Sequence, residues 1–367
     1  MISKAKGTYI DMKILHTADI HIGSPMTSRL PSSKIRERRR ELHSNVTDLD
    51  NEAKKEKAGA LIIAGDLFDS EKITKKARDT VLDVIASNPL ITFFYLKGNH
   101  EGDALLSYDG PMPKNLLTFG EDWTYFQAGD VTVVGRSVCT PDMFDTLKLS
   151  SDTKNVVILH GELRERSAYP DVIGRADAAG RGIDYMALGH YHSYSAHSID
   201  SRGIAVYSGT PEGRGFDEAF DCGYVMLDTA GLPSHEFHSF AKRRLRIVSL
   251  PLEGLYTPSE MVDRAATVLR DIPRCDLVRL ELVGEYAPEL WKDADALTRR
   301  FADRFYHFEV KDSSKIKIDP ESYKNDKSFK GEFIRSVSAD ESLSDDEKAK
   351  IIACGLYALM GENIYES

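Results

Sequence analysis

Five short polar motifs, each closing an apolar run, constrain this 367-residue chain more than any other feature. They are Asp19-Ile20-His21, Gly65-Asp66, Gly98-Asn99-His100-Glu101, His160-Gly161 and Gly189-His190-Tyr191-His192. The runs before them, residues 13–17, 60–64, 91–96, 155–159 and 185–188, are short and rich in β-branched and large apolar residues, so each reads as a buried strand. Strand ends that deliver Asp, His and Asn to one place are the layout of a two-metal hydrolase.

Residue type narrows the ion. Near-neutral His and ionised Asp suit a divalent cation that takes mixed nitrogen and oxygen ligands, and no Cys stands among them, so manganese, iron or zinc fits better than calcium. In a strand, residues i and i+2 share a face, which lets Asp19 with His21, and His190 with His192, each present two ligands while Ile20 and Tyr191 face away. On this reading glycines 23, 65, 98, 161 and 189 supply the turns, and no ligand needs an unusual backbone. A lone His at a strand end is more often a hydrogen-bonded structural residue, and His16 is read that way. His43, His197, His235, His238 and His307 lie outside the pattern and are read as solvated or structural.

At these residues the chain resembles the calcineurin-like metallophosphoesterase superfamily. Residues 16–23, His-Thr-Ala-Asp-Ile-His-Ile-Gly, and 65–69, Gly-Asp-Leu-Phe-Asp, are similar to the SbcD-type DNA repair nucleases, over residues 12 to about 240. Lys330-Gly331-Glu332-Phe333-Ile334-Arg335 and the helix after it resemble the YhaO branch. The resemblance implies one metal held by Asp19, His21, Asp66 and His192, and another by Asp66, Asn99, His160 and His190, with Asp66 as the bridge. It implies that His100 is not a ligand but meets the substrate. Glu101 stands where most of the family has Asp, so the carboxylate expected to orient His100 is one methylene longer, and Asp69 stands where some relatives carry a second substrate-facing His.

The resemblance further implies a manganese-dependent DNA exonuclease, with single-strand endonuclease activity as an extension, acting as a homodimer with an SMC-type ATPase partner. Two other readings compete. One is a phosphoesterase of the same fold acting on nucleotides or phosphoprotein, for which Glu101 and the acidic charge speak. The other is a non-catalytic scaffold, which the complete set of ligand positions disfavours.

The formal net charge of −10 runs against the basic surface usual in nucleic-acid enzymes. Five of those excess negatives fall in residues 336–367. Arg29, Lys34, Arg36, Arg38, Arg39 and Arg40 cluster after the first motif, as a phosphate-binding patch or the solvated face of a helix. The four Cys form no Cys-x-x-Cys, and no apolar run reaches membrane length, so a cytoplasmic protein is expected.

Charged helical stretches near 34–57 and 74–87 alternate with the early strands, and later strands follow one another through turns. The expectation is an α/β fold of two packed sheets flanked by helices over residues 1–240. Residues 241–335 read β-α-β-α-β, a small α+β domain that the resemblance makes a DNA-seating cap. Residues 336–367 carry an acidic amphipathic helix opened by Ser344 and Glu347, which either packs on that domain or docks a partner.

Overall fold

The computed structural model describes residues 11–26, 30–107, 110–286, 290, 292–317 and 320–360. Arg29 therefore lies outside the described residues, as do 361–367, where the C-terminal helix was expected to stop at Gly361. The chain divides into two compact units, Met1–Arg244 and Leu245–Ser367.

The first unit opens with β1 (Lys13–Thr17), α1 (Ser32–Lys55), β2 (Ala58–Ala64), α2 (Lys75–Ala86) and β3 (Thr92–Leu96), the alternation expected of a parallel sheet. There follow β4 (Leu116–Thr118), β5 (Thr124–Ala128), β6 (Val131–Gly135), α3 (Met143–Thr146) and β7 (Lys154–His160). Next come β8 (Glu162–Arg164), β9 (Val172–Gly174), α4 (Arg175–Ala178) and β10 (Tyr185–Gly189). The unit ends with β11 (Ser195–Ser198), β12 (Ile204–Tyr207), β13 (Gly223–Asp228) and β14 (His235–Ser239).

These strands form two six-stranded sheets, ordered β14-β13-β1-β2-β3-β4 and β11-β12-β10-β7-β6-β5. The two-residue period of a strand decides the layering. In β2, Leu61 and Ile63 face outward onto a core with Val46 and Leu49 of α1 and Val81 and Ile85 of α2. Ala60, Ile62 and Ala64 face inward, in a core shared with Val156 and Ile158 of β7 and Tyr185 and Ala187 of β10. On the far side, Val157, Leu159, Met186 and Leu188 pack against Met143, Phe144 and Ala178. The result is two sheets face to face with helices on both outer surfaces, the layout expected from the sequence.

Within the basic cluster, Arg36, Arg39 and Arg40 are exposed along α1, whereas Arg38 is buried. Its guanidinium donates to Glu41 at 2.5 Å, to buried Glu212 at 2.6 Å and to the Gly213 carbonyl at 2.6 Å. A solitary buried charge would be costly, and this one is met on three sides. Arg38 is thus a structural tie between α1 and the loop after β12, and it is removed from the candidate phosphate patch.

The second unit contains β15 (Leu245–Pro251), α5 (Pro258–Val268), β16 (Leu277–Val283), β17 (Glu285–Tyr286), α6 (Ala294–Phe301), β18 (His307–Asp312) and β19 (Lys315–Ile316), then α7 (Phe329–Ser338) and α8 (Asp345–Met360). The three longer strands pair in parallel as β15-β16-β18. Thr257 and Glu260 form the expected capping box of α5, with Pro258 at its first position. The helix expected from residue 287 begins at Ala294 among the described residues. The Ser344 and Glu347 cap opens α8 as read. Ile352 and Leu356 of α8 are buried in one core with Leu280, Leu297 and Ile334, so that face of the helix packs on its own unit. Ile351 and Leu359 stay exposed.

Candidate metal centre

All five motifs lie at the carboxyl ends of parallel strands, where open α/β sheets place their ligands. β1, β2 and β3 of one sheet carry Asp19 and His21, Asp66, and Asn99 with His100. β7 and β10 of the other carry His160, and His190 with His192.

The strand periodicity invoked from sequence does not position these side chains. Asp19 and His21 stand beyond the end of β1, and Asp19, His21, Asp66 and His190 all have positive φ, at 52°, 52°, 51° and 108°. Left-handed backbone is uncommon outside glycine and concentrates at functional sites. It is held here by pairing that continues past the strands: the Asp19 amide donates to the Gly65 carbonyl at 3.0 Å, His21 to Asp66 at 3.0 Å and Ile22 to Leu67 at 2.9 Å. The expectation that no ligand needs an unusual backbone is therefore corrected. Ile20 is buried in the core beneath α1 and α2, as expected of a residue facing away, whereas Tyr191 is 41% exposed with its ring 5.4 Å from that of His190.

Two glycines owe their place to crowding. Gly65 has φ +94°, and a Cβ on it would collide with the imidazole of His160. A Cβ on Gly98 would strike the carboxylate of Asp66.

Two groups of potential ligand atoms converge, Asp19 with His21 and His192, and Asp19 with Asp66 and His160. Asp19 is common to both. Asp66 Oδ2 lies 3.9 Å from His21 Nε2 and 3.3 Å from His160 Nε2, so it too stands between the groups. Asn99 Oδ1 is 2.9 Å from His160 Nε2, at the mouth of the second group. His190 stands slightly apart, its ring centroid 5.5 Å from that of His160, and its amide donates to both carboxylate oxygens of Asp19 at 3.0 Å. His100 is exposed, with its ring edge-on to His21 at 5.1 Å and its amide donating to Asp66 Oδ1 at 3.0 Å.

Partners behind the imidazoles fix which nitrogen faces inward. His160 Nδ1 is 2.9 Å from the Ala64 carbonyl, His21 Nδ1 is 3.2 Å from Asp69, and His192 Nδ1 is 2.7 Å from Glu218. The Ala64 carbonyl can only accept, so His160 Nδ1 donates; His21 Nδ1 faces Asp69 without a hydrogen bond, and His192 Nδ1 lies between the Glu218 carboxylate and the Arg214 guanidinium at 3.0 Å, which leaves the Nε2 atoms turned inward. His21 Nε2 and His192 Nε2 face each other at 3.2 Å, close enough to share one cation or one proton. Two nitrogens each about 2.1 Å from one ion and this far apart subtend roughly 100° at it, so the donor set fits a divalent metal.

Electrostatics agree. Burial raises the Asp19 carboxyl to about 6, although His160 and His192 pull it down. Burial also works against an ionised Asp66, but a proton on His160 Nε2, standing where a cation would, brings it to about 2. Burial pushes His21 down, with Asp69 opposing. His192 feels the same burial, yet Glu218 and Asp19 hold it above its ordinary value. Two buried carboxylates among imidazoles are what a cation would neutralise.

Sequence reading missed Glu218 and Arg214. Arg214 donates to Glu218 at 2.8 Å and to Asp69 at 3.1 Å, joining the supports of His192 and His21 into one network. A signal existed in Gly213-Arg214-Gly215, which follows an apolar strand ending at the same edge. Asp69 is thereby a support of His21. Glu101, expected to orient His100, is fully buried and accepts from the amides of Phe68 at 2.8 Å and Gly98 at 3.0 Å. It fastens the third motif to the second.

Residues 12–194 match the calcineurin-like phosphoesterase family. The chain carries a calcineurin-like phosphoesterase domain. The chain is 26% identical over 302 residues to the uncharacterized metallophosphoesterase YhaO of Bacillus subtilis, covering 76% of this chain and 73% of that one. It is 24% identical over 271 residues to the DNA double-strand break repair protein Mre11 of Sulfurisphaera tokodaii, covering 66% of each. Among solved structures, a dimetal phosphatase from Danio rerio aligns with TM-score 0.38 and 11% identity, over 59% of this chain and 91% of the other. No helix among the described residues is long and apolar enough to cross a membrane.

Proposed function

We propose that this phosphoesterase is a two-metal phosphodiesterase acting on DNA, with exonuclease activity in strand-break repair and manganese as its ion, ahead of iron or zinc. The observation that carries the metal reading is the pair of inward imidazole nitrogens, His21 Nε2 and His192 Nε2, 3.2 Å apart beside buried Asp19. The similarity to a protein named for double-strand break repair supports DNA as substrate.

Asp19, His21, Asp66 and His192 would hold one ion, and Asp66, Asn99, His160 and His190 the other. Bound metals in such a site supply hydroxide near neutral pH and neutralise charge on the phosphoryl oxygens. His100, exposed beside His21, meets the substrate and gives a proton to the leaving oxygen. Asp69, Glu218 and the Ala64 carbonyl keep the imidazoles turned.

An SMC-type ATPase partner and a homodimer belong to the same proposal. The exposed side of α8, with Ile351 and Leu359, is the surface offered to the ATPase. Ile351→Glu with Leu359→Glu should abolish capture of that ATPase, and undiminished capture would remove α8 from the interface.

The deciding experiment compares end-labelled DNA, bis-p-nitrophenyl phosphate and a phosphomonoester with manganese present. DNA cleavage that disappears in Asp66→Ala is the expected result. Hydrolysis of small esters alone would replace the nuclease reading with that of a nucleotide or phosphoprotein phosphoesterase. Activity on none of the three would leave a scaffold.

A further inference from the structure

Tyr191 stands between two candidate ligands and is used by neither group. Its ring rests on Tyr207 at 5.0 Å between centroids and on His190 at 5.4 Å, and the His190 ring lies 5.5 Å from that of His160. A short chain of rings thus leads from the second group to an aromatic side chain 41% exposed. Its hydroxyl donates to Glu162 Oε1 at 2.7 Å, and Glu162 pairs with Arg164 at 2.8 Å. The ring is therefore held in one orientation, and the carboxylate that holds it is charge-balanced.

Single exposed aromatics are common and need no explanation. The distribution here is uneven. Among the described residues of the first unit, the exposed tyrosines are Tyr125, Tyr169, Tyr191 and Tyr194. Tyr191 and Tyr194 both follow β10, but the Tyr194 ring turns onto Phe237 and His235 of β14, whereas Tyr191 packs on the candidate ligand His190.

We propose that Tyr191, braced by Glu162 and Tyr207, is a stacking subsite for an unpaired nucleobase flanking the phosphodiester at the metal centre. This rests on the nuclease reading above. A fixed aromatic face binds any base, at little cost in side-chain freedom. Bases inside a duplex already stack on one another, so the subsite favours single strands and frayed ends. It also suits a chain of net charge −10, because stacking does not depend on neutralising phosphates as ionic contacts do.

The test uses the full chain and two labelled oligonucleotides with the same backbone, one of thymidines and one abasic. With manganese, Tyr191→Ala should lower kcat/KM on the thymidine strand about tenfold more than on the abasic strand, and Tyr191→Trp should restore the difference. Fluorescence anisotropy in EDTA, where no cleavage occurs, should rank the same proteins and strands in the same order. Equal losses on both strands, or no loss of thymidine-strand affinity in EDTA, would overturn the subsite while leaving the nuclease reading intact. If wild-type protein hydrolyses bis-p-nitrophenyl phosphate but cleaves neither strand, the nuclease reading falls and the subsite with it.

Discussion

The two units handle backbone strain in opposite ways. In the first, seven described non-glycine residues have positive φ, and four of them, Asp19, His21, Asp66 and His190, lie at the metal edge, the others being Met26, Lys57 and Asp171. In the second, the described positive-φ residues are the glycines Gly254 and Gly284, which adopt that conformation without penalty. Its strands, capping box and buried Leu280 and Leu282 follow local preference throughout. The contrast separates a unit whose edge is bent to aim side chains from one built for regular packing, and it locates the chemistry in the first.

Asp66→Ala, which removes the proposed bridging carboxylate, should have the largest effect, with loss of both ions and of turnover, as read by metal content and hydrolysis. His100→Ala should leave metal content intact and lower turnover about 10²–10⁴-fold. Equal metal loss in these two variants would refute the division of roles. In the second unit, Leu280→Ala should cost about 2–5 kcal/mol in denaturant unfolding of that unit without changing metal content. A drop in metal content there would show that the units are not energetically separate.

Smaller effects sharpen the picture. Glu218→Gln weakens the support of His192 Nδ1, and metal affinity should fall about 10–100-fold in a competition titration with a chelator. His16, buried against the Tyr185 hydroxyl at 2.9 Å, is pushed by burial down to about 3. The unfolded chain takes up its proton near pH 6.5 while the folded chain does not, so this group makes stability fall as pH drops below that value. Between pH 6.5 and 5 the loss is roughly 1.5 kcal/mol, and the first unit of His16→Asn should lack that part of the slope. An unchanged slope would mean that His16 is not held neutral.

The strands that carry the ligands were legible because each is an apolar run buried on both faces. Of those left unread, β4 has three residues and the edge strands β11, Ser-Ala-His-Ser, and β14, His-Glu-Phe-His-Ser, carry little apolar signal, whereas β5, Thr-Tyr-Phe-Gln-Ala, is a partly exposed edge strand that lacks a continuous apolar run. At the site, residue types were legible and their aim was not. The i, i+2 argument grouped Asp19 with His21, but it is the lateral pairing of two loops, each bent into left-handed backbone, that turns them inward. Glu218 and Arg214 escaped notice because their role arises only when the loop after β12 folds behind His192.

The sharing of ligands between sheets has a mechanical consequence. Each convergent group draws on both layers of the sandwich, Asp19 and His21 from one with His192 from the other, and Asp19 and Asp66 from one with His160 from the other. An ion seated in either group would act as a rivet through the open end of the sandwich. Its binding free energy would add to the cohesion of the two layers as RT ln(1 + [L]/Kd). Stripping the metal would then do more than silence the enzyme, because it would unfasten the edge at which the sheets are pinned.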